Sequence, residues 1–266
     1  MTGPRLWLIG CGNMGGAMLR RWIESGVVAA EAVDVVNRSN RDLPPGVRQA
    51  RTLPDGPLPD AVMLAMKPQQ FDAIAAAYAA RLAGVPLLIS ILAGVEEPAL
   101  AARFSAGAIV RAMPNLPVAI GKGVVALSSL GADVAARESV ASLMAPLGLV
   151  EWIGDPRLFD AVTALAGCGP GFVYRFIDAL AGAGAALGLP ADQSARLALA
   201  TVEGSALLAA SADVDPATLA DRVASPGGST RAGLNVLDRA DGLAALLGET
   251  LAASERRNAE MAAAAR

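Results

Sequence analysis

Histidine is absent from the 266 residues, and lysine occurs only at Lys67 and Lys122. Without histidine there is no Ser–His–Asp hydrolase and no His-ligated metal. A dehydrogenase with a histidine proton donor is excluded as well, so acid–base chemistry must use a hydroxyl, a carboxylate, one of the two lysines or solvent. Cysteine is scarce: Cys11 and Cys168 have no metal-ligand spacing, and both read as reduced thiols in a reducing compartment. No metal site is expected. Aromatics make up 4% of the chain and the net charge is −3. With no basic stripe and little aromatic interleaving, no nucleic-acid partner is expected. The positive mean hydropathy comes largely from alanine. The longest uncharged apolar stretch, 82–95, is broken by Gly84, Pro86 and Gly94 and falls short of the ~20 residues that span a bilayer. No membrane partner and no charged-then-apolar leader are expected, which places the chain in the cytoplasm.

What is present is organised around the N-terminal stretch Leu6–Gly15. An apolar run, Leu6-Trp7-Leu8-Ile9, ends in Gly10-Cys11-Gly12-Asn13-Met14-Gly15, and apolar residues then recur at helical spacing through Ile23. That pattern is strand, tight turn, helix. Gly10 permits the turn, Gly12 lets the backbone approach a pyrophosphate, and Gly15 lets the helix pack on the strand. The helix N-terminus offers free N–H groups and the positive end of its dipole.

Further strands are expected at 32–37, 61–65, 86–92, 108–113, 123–127 and 148–153. Helices are expected at about 71–82, around Pro98-Ala99-Leu100, and at 133–145. Strands alternating with helices give an α/β domain: a doubly wound, mainly parallel sheet. At the end of the second strand, NAD-specific domains carry an acid for the ribose 2′-hydroxyl. Here Asn37-Arg38-Ser39 stands instead. An acid would repel a 2′-phosphate, whereas Arg and Ser can hold one, so NADP is preferred over NAD; an ordinary polar turn is the competing reading. Strand ends at the carboxyl edge carry the ligand sites. This places Ala65-Met66-Lys67-Pro68, Ala93 and Asn115 near the cofactor; Lys67 could equally cap its strand end.

After Gly154-Asp155-Pro156 the character changes to helices only: 158–166, 172–187, 191–210, 216–223, 229–240 and 243–264. The expected division is 1–155 for the dinucleotide-binding domain and 156–266 for a helical substrate-binding and dimerisation domain. A region this size hides so much apolar surface poorly, which favours dimerisation over a self-contained bundle. Within it, Ser225-Pro226-Gly227-Gly228-Ser229-Thr230 leads into a helix. Free N–H groups of Gly228, Ser229 and Thr230 can hold a carboxylate; a hydroxyl N-cap is the plainer alternative.

Together these motifs resemble the pyrroline-5-carboxylate reductase family over essentially the full length. The resemblance rests on Gly10–Gly15, Asn37-Arg38-Ser39, Ala65–Gln69, Ser90–Val95, Met113-Pro114-Asn115 and, most specifically, Val223–Thr230 followed by Ala232-Gly233-Leu234. It implies NAD(P)H as hydride donor, a cyclic imine carboxylate as substrate, proline as product, and dimers or larger rings of dimers. The substrate would sit between the nicotinamide and the Ser-Pro-Gly-Gly segment. Gly227, Gly228, Ser229 and Thr230 would bind it, Ser225 would contact the carboxylate or position the loop, and Asp213 would approach from the partner chain. Thr230 is the candidate for the ring nitrogen. The chain departs from the family pattern where Ala166-Gly167-Cys168-Gly169-Pro170-Gly171 replaces Ser-Gly-Ser-Gly-Pro-Ala, and at Leu116, Ser229 and Asp215.

A protonated imine already carries its proton, so hydride addition needs no strong acid, and a histidine-free chain can run the reaction. Reduction of another cyclic imine, or a non-catalytic NADP-binding regulator, stays open. β-Hydroxyacid dehydrogenases share the architecture but need a lysine in the second domain, and none follows Lys122.

Overall fold

The computed structural model describes residues 4–264. The chain divides into two compact units, Met1–Cys168 with Ser254–Arg266, and Gly169–Ala253. Strand content ends at Trp152, but the short helical elements that follow stay with the first unit.

The first unit is built on one sheet of eight strands. They are β1 Leu6–Ile9, β2 Val33–Val36, β3 Arg48–Ala50, β4 Ala61–Leu64, β5 Val85–Ser90, β6 Ala106–Pro114, β7 Gly123–Ser128 and β8 Gly148–Trp152. Their order is β3-β2-β1-β4-β5-β6-β7-β8. Alternate residues feed two cores, the signature of a sheet covered on both faces. Leu6, Leu8, Met63 and Ile89 join α1 (Asn13–Glu24) through Met18, Leu19 and Trp22. Trp7, Ile9, Val62 and Leu64 join α2 (Phe71–Leu82) through Phe71 and Ala75.

The strand direction departs from the expected pattern at one place. β6 and β7 pair antiparallel, with Arg111 opposite Ser128, while β7 and β8 are parallel again. The cause is the connection: residues 115–122, a short 3₁₀ turn included, are too few for a parallel crossover of about a dozen residues. The β2–β3 crossover, residues 37–47, contains no helix although the pair is parallel. Leu43 and Val47 pack on the sheet in its place.

Register fixes the functional edge. Ile9 lies opposite both Val36 and Leu64, and Leu64 opposite Ser90. The residues that follow, Gly10, Asn37, Ala65 and Ile91, therefore leave the sheet together, at the point where strand order reverses between β1 and β4.

Between its strands the first unit also holds α3 (Glu97–Ala101) and α4 (Val134–Met144), and after β8 come α5 (Phe159–Val162) and a π-helical turn, Thr163–Gly167. The second unit carries α6 Gly169–Ala186, α7 Ala191–Ser211, α8 Pro216–Arg222 and α9 Ser229–Leu237. The last helix, α10, is Leu243–Ala264; from Ser254 it belongs to the first unit. There Asn258 donates to the Asp160 carbonyl at 3.3 Å. The α6–α7 pair is pinned by Ser194 donating to the Ala181 carbonyl at 2.6 Å. α6 buries no residue, and Val173, Tyr174, Phe176, Leu197, Leu207 and Leu208 are exposed. Apolar exposure on this scale marks an interaction surface. No single helix among the described residues is long and apolar enough to cross a membrane.

Candidate functional site

In the first unit the glycine turn separates three roles by geometry. Gly10 has φ +87°, and a Cβ there would lie 2.6 Å from the Met66 backbone nitrogen. Only a residue without a side chain fits. A Cβ on Gly15 would lie 3.2 Å from the Ala65 methyl, which sets how closely α1 approaches the sheet. A Cβ on Gly12 would meet nothing within 4 Å. The turn itself has no use for that glycine; the space above it does. α1 has no side-chain N-cap and no acidic residue in its first turn. The N–H groups of Asn13, Met14 and Gly15 thus face an open cradle with the dipole's positive end behind them. A dinucleotide pyrophosphate fits this donor set.

The charges nearby have the matching sign. Cys11 is buried, which pushes its thiol pKa up, while Arg20 and Arg41 oppose that shift. Arg20, Arg38 and Arg41 take part in none of the ion pairs among the described residues. Arg38 and Ser39 are exposed on the crossover after β2.

Asn37 faces inward. Its Oδ1 accepts the Cys11 N–H at 2.8 Å and its Nδ2 donates to Gln49 Oε1 at 3.1 Å. It joins the glycine turn to β3, leaving Arg38 and Ser39 as the outward pair. Asn115 is similar. It is buried, accepts the Val124 N–H at 2.8 Å and donates to the Ala166 carbonyl at 2.9 Å. The amides of Asn37 and Asn115 are committed to the chain itself.

The exposed Lys67 makes no side-chain hydrogen bond or ion pair among the described residues, so it does not cap its strand. The turn is instead closed by Gln70, whose N–H donates to the Lys67 carbonyl at 2.9 Å. Pro68 starts that turn, and Ala93 is exposed in the loop after β5.

Arg111 was not legible as a site residue. It stacks on Phe159 with its guanidinium carbon 4.2 Å from the ring centroid. Burial lowers its pKa, while Asp160, Glu96 and Glu97 hold the charge. It lines a small cavity with Ser90, Ala93, Thr163 and Asn258. The available signal was a lone cation inside the apolar strand Ala108–Met113.

In the second unit, Ser225–Gly228 closes as a turn in which the Ser225 carbonyl accepts the Gly228 N–H at 3.0 Å. Pro226 followed by Gly227 at φ +73° is the pattern of a type II turn. This corrects the expected donor set, because the Gly228 N–H is used by the turn and is not free. Gly228 is the N-cap of α9 without a side-chain cap, and the first intrahelical bond runs from Ala232 to the Gly228 carbonyl at 3.1 Å. The open donors are therefore Ser229, Thr230 and Arg231. Ser225 Oγ lies 2.6 Å from where a Gly228 Cβ would be, so Ser225 shapes the loop. Arg231 is held by Asp221 at 2.6 Å, which anchors α9 to α8. Thr230 is exposed, as is Asp213, and no hydrogen bond or ion pair among the described residues joins Asp213 to this turn. Among the described residues no group of three or more His, Cys, Asp or Glu could hold a metal ion.

Comparison with known proteins matches two families, one to each end of the chain. Residues 5–94 match a family described as NADP oxidoreductase, coenzyme F420-dependent. Residues 156–261 match one described as pyrroline-5-carboxylate reductase dimerisation. The pyrroline-5-carboxylate reductase of Synechocystis is 36% identical over 97% of this chain and 98% of its own. That of Pseudomonas aeruginosa is 33% identical over 98% of each. Among solved structures, the Coxiella burnetii pyrroline-5-carboxylate reductase superposes with a TM-score of 0.88 at 28% identity, covering 98% of this chain and 99% of that one. The Plasmodium falciparum pyrroline carboxylate reductase, solved with NADP bound, gives 0.84 at 25% identity with the same coverage. With relatives of 33–36% identity over nearly the full length of both chains, this chain belongs to the pyrroline-5-carboxylate reductase family.

Proposed function

We propose that the chain reduces L-1-pyrroline-5-carboxylate to L-proline with NADPH as the preferred donor. The observation that carries this is the pair of anion-binding helix N-termini, α1 with its open glycine and α9 with its uncapped first turn. One suits a dinucleotide and the other a single carboxylate.

When bound, the nicotinamide supplies the hydride. The N–H groups of Asn13, Met14 and Gly15 hold the pyrophosphate. Arg38 and Ser39 take the 2′-phosphate, which supports NADPH over NADH. The N–H groups of Ser229 and Thr230 hold the substrate carboxylate, and Gly227 and Gly228 keep the approach free of side chains. The Thr230 hydroxyl contacts the ring nitrogen. The substrate nitrogen would enter already protonated, so no residue of the chain would have to supply it a proton, and the residues' part would be to hold the imine in place. Positioning is therefore the main catalytic term. Self-association through the helical region is indicated by its match to the dimerisation family and supported by its exposed apolar faces; we extend this to dimers or rings of dimers. The free thiols Cys11 and Cys168 support a reducing, cytoplasmic setting.

The test is loss of NADPH absorbance on adding L-pyrroline-5-carboxylate, with NADH and the six-membered cyclic imine run in parallel. Rapid loss with NADPH and the five-membered ring is expected. Turnover of the six-membered ring alone would reassign the substrate. No turnover by a protein that binds NADPH would make it a regulator.

A further inference from the structure

The crossover after β2 has no helix to hold it, yet it carries Arg38 and Ser39. Leu43 and Val47 pack its later part on the sheet, and one side chain of β3 ties down its first part. Gln49, on β3, accepts the Arg41 N–H at 2.9 Å and donates to the Arg41 carbonyl at 3.2 Å. Its Oε1 also accepts from Asn37 Nδ2, and Asn37 accepts the Cys11 N–H. The run is continuous: glycine turn, Asn37, Gln49, Arg41. A backbone N–H can only donate and a carbonyl can only accept, so every amide orientation in it is fixed. Both ends of the 37–41 loop are clamped, and the residues between them, Arg38, Ser39 and Asn40, are exposed.

We infer that Gln49 is a positioning residue for cofactor discrimination: it holds the 37–41 loop in the shape that presents Arg38 and Ser39 to the ribose 2′-phosphate. The inference rests on the NADPH preference proposed above. The same run disfavours an acid at position 37. A carboxylate there could still accept from Cys11, but its second oxygen would face the Gln49 oxygen. Turning Gln49 over to relieve this would break both of its bonds to Arg41. The loop is thus wired for a neutral amide where an NAD-type domain carries an acid.

Gln49→Met keeps the side chain's length and removes all three bonds. Gln49→Asn keeps the amide one methylene short. For each variant and the wild type, the dissociation constants of NADPH and NADH are measured by titration, alongside those of adenosine 2′,5′-bisphosphate and 5′-AMP, with folding checked by thermal melting. The expected result for Gln49→Met is NADPH and the bisphosphate weakened about tenfold, as for loss of a charge-assisted contact, with NADH and AMP within about twofold. Gln49→Asn should lose less, and it decides the matter if the methionine variant does not fold. Equal weakening of all four ligands would make Gln49 merely structural and overturn the inference, as would no change. A wild type without NADPH preference would overturn the cofactor reading first and this inference with it. A wild type that prefers NADPH alongside variants that keep the full preference would overturn the inference alone.

Discussion

Asn115 donates through its side-chain amide to the carbonyl of Ala166, 2.9 Å away, and so fastens the end of β6 to the π-helical turn. Its oxygen is taken by the Val124 N–H, so the whole side chain is spent on holding two segments. Asn115→Leu would leave a partly buried donor, the Val124 N–H, and a partly buried acceptor, the Ala166 carbonyl, without their partner, at up to about 1 kcal/mol each. Each kcal/mol lowers the melting temperature of a domain this size by roughly 2–4 °C. Thermal melting checks this, and an unchanged midpoint would show that the tie carries no weight.

Two glycines of one turn should respond oppositely. Gly10→Ala places a side chain in the left-handed region, at about 1–2 kcal/mol, and against the Met66 backbone, so it should lower the melting temperature. Gly12 has φ −79° and open space beyond it, a conformation any residue adopts. Gly12→Val should melt like the wild type yet bind NADPH about a hundredfold more weakly, because it fills the space meant for pyrophosphate. If Gly12→Val kept its affinity, the cradle would not be the phosphate site.

These glycines were legible because the fingerprint translates directly into local geometry, and the strands were legible because residues such as Leu6–Ile9 are buried on both faces. The direction of β7 was not, since it depends on how much chain separates it from β6. Asn37 and Asn115 were legible as positions and not as roles, because each role is set by partners distant in sequence: Gln49, Val124 and Ala166. Gln49 gave no signal at all, being one polar residue on a three-residue strand. The used Gly228 N–H could have been read from Pro226-Gly227, whose turn type implies that bond.

The second unit should lose stability in acid partly through Asp215. This exposed N-cap of α8 accepts the Thr218 N–H at 2.8 Å and the Thr218 hydroxyl at 3.2 Å, which hold its carboxyl below the usual range. The unfolded chain therefore binds more protons than the folded one between the folded value and about 3.9, the ordinary Asp value. Stability is fully present above that window and falls as pH falls through it. Asp215→Asn can still cap and cannot titrate, so its acid limb in urea unfolding should be shallower than the wild type's. Superposable limbs would remove Asp215 from the acid response.

Thr230 stands in the first turn of α9, exposed, with its backbone N–H open and its hydroxyl available. Thr230→Ala keeps the N–H that serves the carboxylate and deletes the hydroxyl assigned to the ring nitrogen. The helix tolerates alanine, so melting should not change. Turnover should fall about a hundredfold, within the range for loss of a group that positions the reacting atoms. The dissociation constant for NADPH, held by the first unit, should stay the same. Thr230→Ser restores the hydroxyl and should recover most of the rate. The pair separates two possible losses: if serine fails to rescue, the methyl group's packing matters and the hydroxyl does not. If alanine turns over normally, Thr230 has no part in the chemistry, and substrate binding at α9 reduces to its backbone donors.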